Sequence, residues 1–171
     1  MANTTFSGPV RSLNGFISFG PKAVVSLTAD TTLTVADHAG RVITCNDADG
    51  KFTLPTITAG SSSAVAGAND YNVASNLGCT YTFWVETAAT DMDILTDGTD
   101  KFVGGLYTGK DDASGKVFIS GASNDVITMN GTTQGGLVGS IVKVTAMASA
   151  KYAVEGIILG SGTIVTPFAD A

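Results

Sequence analysis

The sequence predicts an all-β fold, a β-sandwich or jelly-roll-like barrel of about nine to ten short strands with an extended N-terminal arm. Apolar residues recur with a period of two along most of the chain. Turn pairs such as Asp49-Gly50, Asp97-Gly98 and Asn130-Gly131 fall at short intervals between those runs, and no good helix is seen among them.

The arm is assigned to residues 1–22 and a single β-domain to 23–171. Residues 1–29 include Arg11 and Lys22 but no acidic side chain, in a chain of net charge -6. The pairs Gly8-Pro9 and Gly20-Pro21 bracket Phe16, Ile17 and Phe19. Proline pushes the residue before it out of the α region, so an extended, apolar, mildly basic segment is expected. Such an arm either packs on its own domain or reaches a neighbouring protein.

Within the domain, Leu33 and Val35 alternate with threonines, and Phe52 and Leu54 alternate with Lys51 and Thr53. Tyr81, Phe83 and Val85 face one way; Thr82, Trp84 and Glu86 face the other. Further strands are read at 92–94, 117–119, 126–129, 141–147, 152–159 and 163–168. Residues 59–78, small and without alternation, read as a long surface loop. Residues 107–116 read as a second loop with a solvated charged tip. Residues 131–139 are glycine-rich and nearly uncharged, which suits close contact with another chain, so Trp84, Gly135, Gly136 and Leu137 are the expected oligomer interface.

Charged residues make up only 14% and hydrophobics 44% of the 171 residues, a composition that folds. The acidic balance repels phosphate backbones and anionic lipid, so neither a nucleic-acid nor a membrane partner is expected. Neither a signal peptide nor a transmembrane span is read. Cys45 and Cys79 match no metal knuckle or redox pair and read as small buried hydrophobes. A disulfide would require neighbouring segments, and the missing secretion signal argues for a reducing compartment.

Catalytic patterns fail residue by residue. His38 stands alone in a turn context and reads as a surface histidine. Asp47, Asp49 and Gly50 suggest a calcium loop, but Cys45 and Thr56 stand where its first and twelfth carboxylates belong, so a tight hairpin turn is the better account. Lys110 and Val117 break a P-loop pattern around Gly115-Lys116. Ser140 and Lys143 have SxxK spacing but fall on opposite faces of a strand. Asp91, Asp93, Asp97 and Asp100 read as solvated strand-edge charges rather than a cation site. No catalytic residue, metal or cofactor is expected.

Residues 2–12, ANTTFSGPVRS, followed by Asn14-Gly15-Phe16, resemble the start of head decoration, or cement, proteins of tailed bacteriophages, especially those of marine and cyanobacterial phages. Residues 24–35, Gly40-Arg41-Val42-Ile43, Phe52-Thr53-Leu54-Pro55 and Tyr81-Thr82-Phe83-Trp84-Val85 are similar to a strand series of such small phage structural proteins. Beyond Gly104 the likeness is compositional. The resemblance implies a non-enzymatic virion protein, made in the host cytoplasm, that binds the outer surface of the capsid as a homotrimer and reinforces it. Its partner would be the major capsid protein, reached through Thr5, Phe6, Pro9, Val10, Arg11, Phe16 and Phe19. A tail-fibre or receptor-binding β-module and a small carbohydrate-binding sandwich are the alternatives.

Overall fold

A computed structural model of the chain describes residues 19–58, 75–111 and 114–171. Within them lie β1 (Val24–Leu27), β2 (Thr31–Thr32), the helical turn α1 (Val35–His38), β3 (Val42–Cys45), β4 (Lys51–Thr53), β5 (Thr80–Val85) and β6 (Met92–Leu95). They are followed by β7 (Lys101–Gly109), β8 (Lys116–Ile119), β9 (Val126–Met129), β10 (Ile141–Ala148), β11 (Lys151–Leu159) and β12 (Phe168–Ala169). A seven-stranded sheet runs β1-β3-β5-β10-β11-β7-β8, and a five-stranded sheet runs β12-β9-β6-β4-β2. Their inner faces share one apolar core, so the chain is an all-β sandwich.

The period of two builds that core. In β5, Tyr81, Phe83 and Val85 are buried while Thr80, Thr82 and Trp84 are half-buried on the other face. In β10, Val142, Val144 and Ala146 point inward between exposed Ile141 and Lys143. Phe52 of β4 and Phe83 of β5 stack across the layers, with ring centroids 6.4 Å apart and planes 21° apart. Such a pair contributes roughly 0.5–1.5 kcal/mol beyond its buried area. The Tyr152 hydroxyl of β11 donates to the Pro55 carbonyl, tying the large sheet to the segment after β4.

The winding departs from a chain of hairpins. From β1 to β6 the chain changes sheet after every strand, so β1, β3 and β5 become parallel neighbours, as do β2, β4 and β6. Parallel neighbours need a crossover, and here the facing sheet supplies it. Antiparallel hairpins join β7 to β8 and β10 to β11, while β9 and β12 return to the small sheet.

Several expectations are corrected here. Asp49-Gly50 is a corner between sheets rather than a hairpin, since β3 bonds β1 and β5 whereas β4 bonds β2 and β6. Glycine stands there because a Cβ would approach the Phe52 ring to 2.7 Å. Among the described residues twelve strands form instead of nine or ten: β7 rises where no strand is expected, and the strand expected over 163–168 is reduced to Phe168–Ala169. Val35 opens a helical turn instead of continuing a strand, because the Thr34 side chain caps it by accepting the Asp37 N–H. Asp93 lies on β6, the middle strand of the small sheet, and not at an edge. The 107–116 loop shrinks because β7 runs through Gly109. Of the 59–78 loop, 59–74 lies outside the described residues; buried Asn76 holds its exit by accepting from the Thr58 N–H and donating to the Thr56 carbonyl.

Candidate interaction surface

One face of the large sheet turns away from the core, and such a face is ordinarily polar. One register row on it is: Thr82, Lys143 and Glu155 align, with Lys143 Nζ 2.7 Å from Glu155 Oε1. That exposed pair adds little stability. The row two residues along is apolar. Register aligns Trp84, Ile141, Ile157, Tyr107 and Val117 across β5, β10, β11, β7 and β8. Val117 is 67% exposed, Ile157 51% and Tyr107 42%, and Ile119, further along β8, is 79% exposed. Single exposed hydrophobics are normal; a contiguous stripe marks an interaction surface.

At the end of the stripe Tyr107, Leu137, Ile157, Leu159 and Gly160 line an open cleft of about 480 Å³, with Lys110 and Asp111 at its rim. Ser140 builds its wall. The buried Ser140 Oγ donates to the Leu137 carbonyl and accepts the Leu159 N–H at 2.7 and 2.9 Å, and the Leu137 N–H returns to the Leu159 carbonyl at 3.0 Å. Ser140 thus has a structural task, fastening the 131–139 segment to the end of β11.

Thr5, Phe6, Pro9, Val10, Arg11 and Phe16 lie outside the described residues. Phe19 is 83% exposed, just before a turn closed by the Ala23 N–H on the Gly20 carbonyl. Of the expected oligomer interface, Trp84 lies half-buried within the stripe and Leu137 half-buried in the cleft wall. Gly135 and Gly136 are buried in their own chain and offer no surface to a partner. A Cβ on Gly135 would stand 2.8 Å from Ile158 Cδ1, and one on Gly136 2.7 Å from the Cβ atoms of Ala89 and Met129. The glycine content of this segment serves backbone packing.

His38 is a second correction: it is buried, and its Nδ1 accepts the Thr34 N–H at 2.9 Å, closing α1 on itself. Burial pushes the Cys45 thiol up to about 12, while Cys79 is only half-buried; both are free. Asp93, Asp97 and Asp100 are occupied within the chain, Asp91 is exposed, and Asp100 is buried rather than a solvated edge charge. Asp97 Oδ1 accepts the N–H groups of Thr99 and Asp100 and the Thr99 hydroxyl. Asp100, its carboxyl raised by burial against the hydrogen bond it receives, accepts the Ile57 N–H at 2.7 Å. Asp93 stands 3.9 Å from Lys51. Among the described residues no group of three or more His, Cys, Asp or Glu is placed to hold a metal ion, and no helix is long and apolar enough to cross a membrane.

No family model, curated protein or solved structure matches this chain. The surface is therefore read from its own residues. Tyr107, Val117, Ile119, Ile141, Ile157 and Leu159 are not among the expected site residues, although a signal for some of them exists. Val117-Phe118-Ile119 and Ile157-Ile158-Leu159 are apolar at consecutive positions, and in a strand that makes both faces apolar.

Proposed function

We propose that this chain is a structural virion protein, a decoration or cement protein bound to the outer surface of a tailed-phage capsid. Its partners are the major capsid protein and further copies of itself, expected as a homotrimer. The observation that carries the reading is the apolar stripe across five strands of a sandwich that has its own core: an exposed face suited to another protein. The N-terminal sequence, with its resemblance to the opening of such proteins, supports it independently. Phe19 leads from that sequence into β1 and stands open to solvent. Three joined copies engaging three coat sites gain about 10² to 10⁴ over one contact, so each arm need bind only modestly.

Two measurements on the virion test the assignment. The chain is expected to fractionate with filled heads in many copies; recovery with tails at a few copies would move it to the tail-fibre reading. A chain lacking residues 1–18 is expected to keep its thermal transition within about 3 °C while losing its binding to heads stripped of the protein. Retained binding, or failure of the shortened chain to fold, would remove the docking role of the arm.

A further inference from the structure

We infer that β8 is a self-pairing edge: a second copy of this chain joins it antiparallel, about a two-fold axis through Phe118, and continues the seven-stranded sheet. Among the described residues β8 bonds only to β7. The Ser120 N–H donates to the Gly104 carbonyl at 3.0 Å, and Phe118 lies opposite Leu106 two positions away. By the alternation of an antiparallel ladder, Phe118 bonds inward to β7, and the N–H and C=O groups of Val117 and Ile119 face away from it.

Open edges are usually guarded by a lysine, a proline, a bulge or a very short strand. The small sheet uses the last device at both ends, since β2 and β12 have two residues each. β8 has no such guard. Its one charge, Lys116, is drawn back to the Ile164 carbonyl, 3.0 Å from Nζ. The residues whose backbone groups face outward, Val117 and Ile119, are also the ones with exposed apolar side chains.

The register selects a second copy as the occupant. A two-fold axis through Phe118 sets Val117 opposite Ile119 of the second copy, and Ile119 opposite its Val117. Both are pairs of outward-facing residues, so each pair exchanges its N–H and C=O groups while its side chains meet on the face already lined by Tyr107. Lys116 falls opposite Ser120, so no like charges meet. An unrelated strand would have to match this pattern; a second copy matches it by symmetry. The contact is two-fold, hence separate from the three-fold association in the proposed function, and either can fail alone.

Sedimentation equilibrium of the full chain between about 1 and 200 µM, paired with amide hydrogen exchange at both ends of that range, tests the edge. Exchange at Val117 and Ile119 is expected to slow at least about tenfold with concentration while Phe118 stays constant. The double variant Val117→Lys, Ile119→Lys, altered only at exposed positions, is expected to weaken association more than about tenfold. Exchange rates at Val117 and Ile119 that ignore concentration would overturn the inference, as would a trimer indifferent to the lysines. Protection that appears only on phage heads would assign the edge to a coat strand instead, and also overturn it. The exchange measurement uses the unaltered chain, so it decides the matter even where the lysine variant misfolds.

Discussion

At Gly136 the backbone φ is +94°, and an added methyl group would stand 2.7 Å from two Cβ atoms of the core. Overpacking costs about 1–3 kcal/mol and the left-handed backbone about 1–2 more. Gly136→Ala is therefore expected to lower the calorimetric transition by about 5–15 °C. Gly98→Ala, at φ +85° with no atom within 4 Å of the added Cβ, carries only the backbone part and serves as the control. Equal shifts for the two would show that the 131–139 turn relaxes around the methyl group. Asp97 gives the chain a defined acid response. Desolvation works to raise its carboxyl, but hydrogen bonds from Asp100 and Thr99 prevail and hold it at about 2, against an ordinary 3.8. A depressed carboxyl stabilises the fold above its unfolded value, and that contribution is lost as pH falls through the folded one. Asp100, raised by burial, has the opposite sign. Between about pH 4 and 2 Asp97→Asn should therefore lose less stability than the unaltered chain, read from urea midpoints across that range. Parallel acid limbs for the two proteins would exclude Asp97 as the source.

Among the elements, β12 shows how a dipeptide strand is kept in place. Phe168 is buried opposite Ile127, and Ala169 pairs with Val126. Around them Asp125 acts as a clamp: Oδ2 lies 2.6 Å from Lys101 Nζ and Oδ1 accepts the Ala171 N–H, while Asp170 accepts from Ser123 and Asn124. Desolvation opposes the charge on Asp125, yet the Lys101 and Ala171 contacts hold its carboxyl below the usual value. The apolar anchor dominates, because removing a buried phenyl costs about 3–5 kcal/mol. Phe168→Ala is thus expected to lower the unfolding free energy by that amount in urea titration. A loss under about 1 kcal/mol would show that the small sheet closes without β12.

For the whole molecule, the alternation of Tyr81, Phe83 and Val85 with Thr82 and Trp84 made both the fold class and the inner face of β5 legible in the sequence. The partners of each strand were not. A turn such as Asp49-Gly50 announces a change of direction but carries no information on whether the next strand bonds to the last or crosses to the other sheet. The surface was hidden for a related reason. Ile141, Ile157, Tyr107 and Val117 come from distant parts of the chain, and only the β10-β11-β7-β8 order brings them into one row. Gly135 and Gly136 misled because a glycine reads alike whether a foreign surface or Ile158 and Met129 lie against it.

The alternating winding also sets a timetable. As the chain is made from its N-terminus, β1 to β6 complete three turns of the coil and bring both sheets to a halt at β5 and β6. The strands that flank these on their second side, β10 and β9, have not yet been synthesised. Until residues 126–148 exist, the nascent half-sandwich presents two inner strands, β5 and β6, with one backbone edge each left open. That interval is when neighbouring chains on one message can cross-pair, and a fragment stopped before Val126 remains in it permanently.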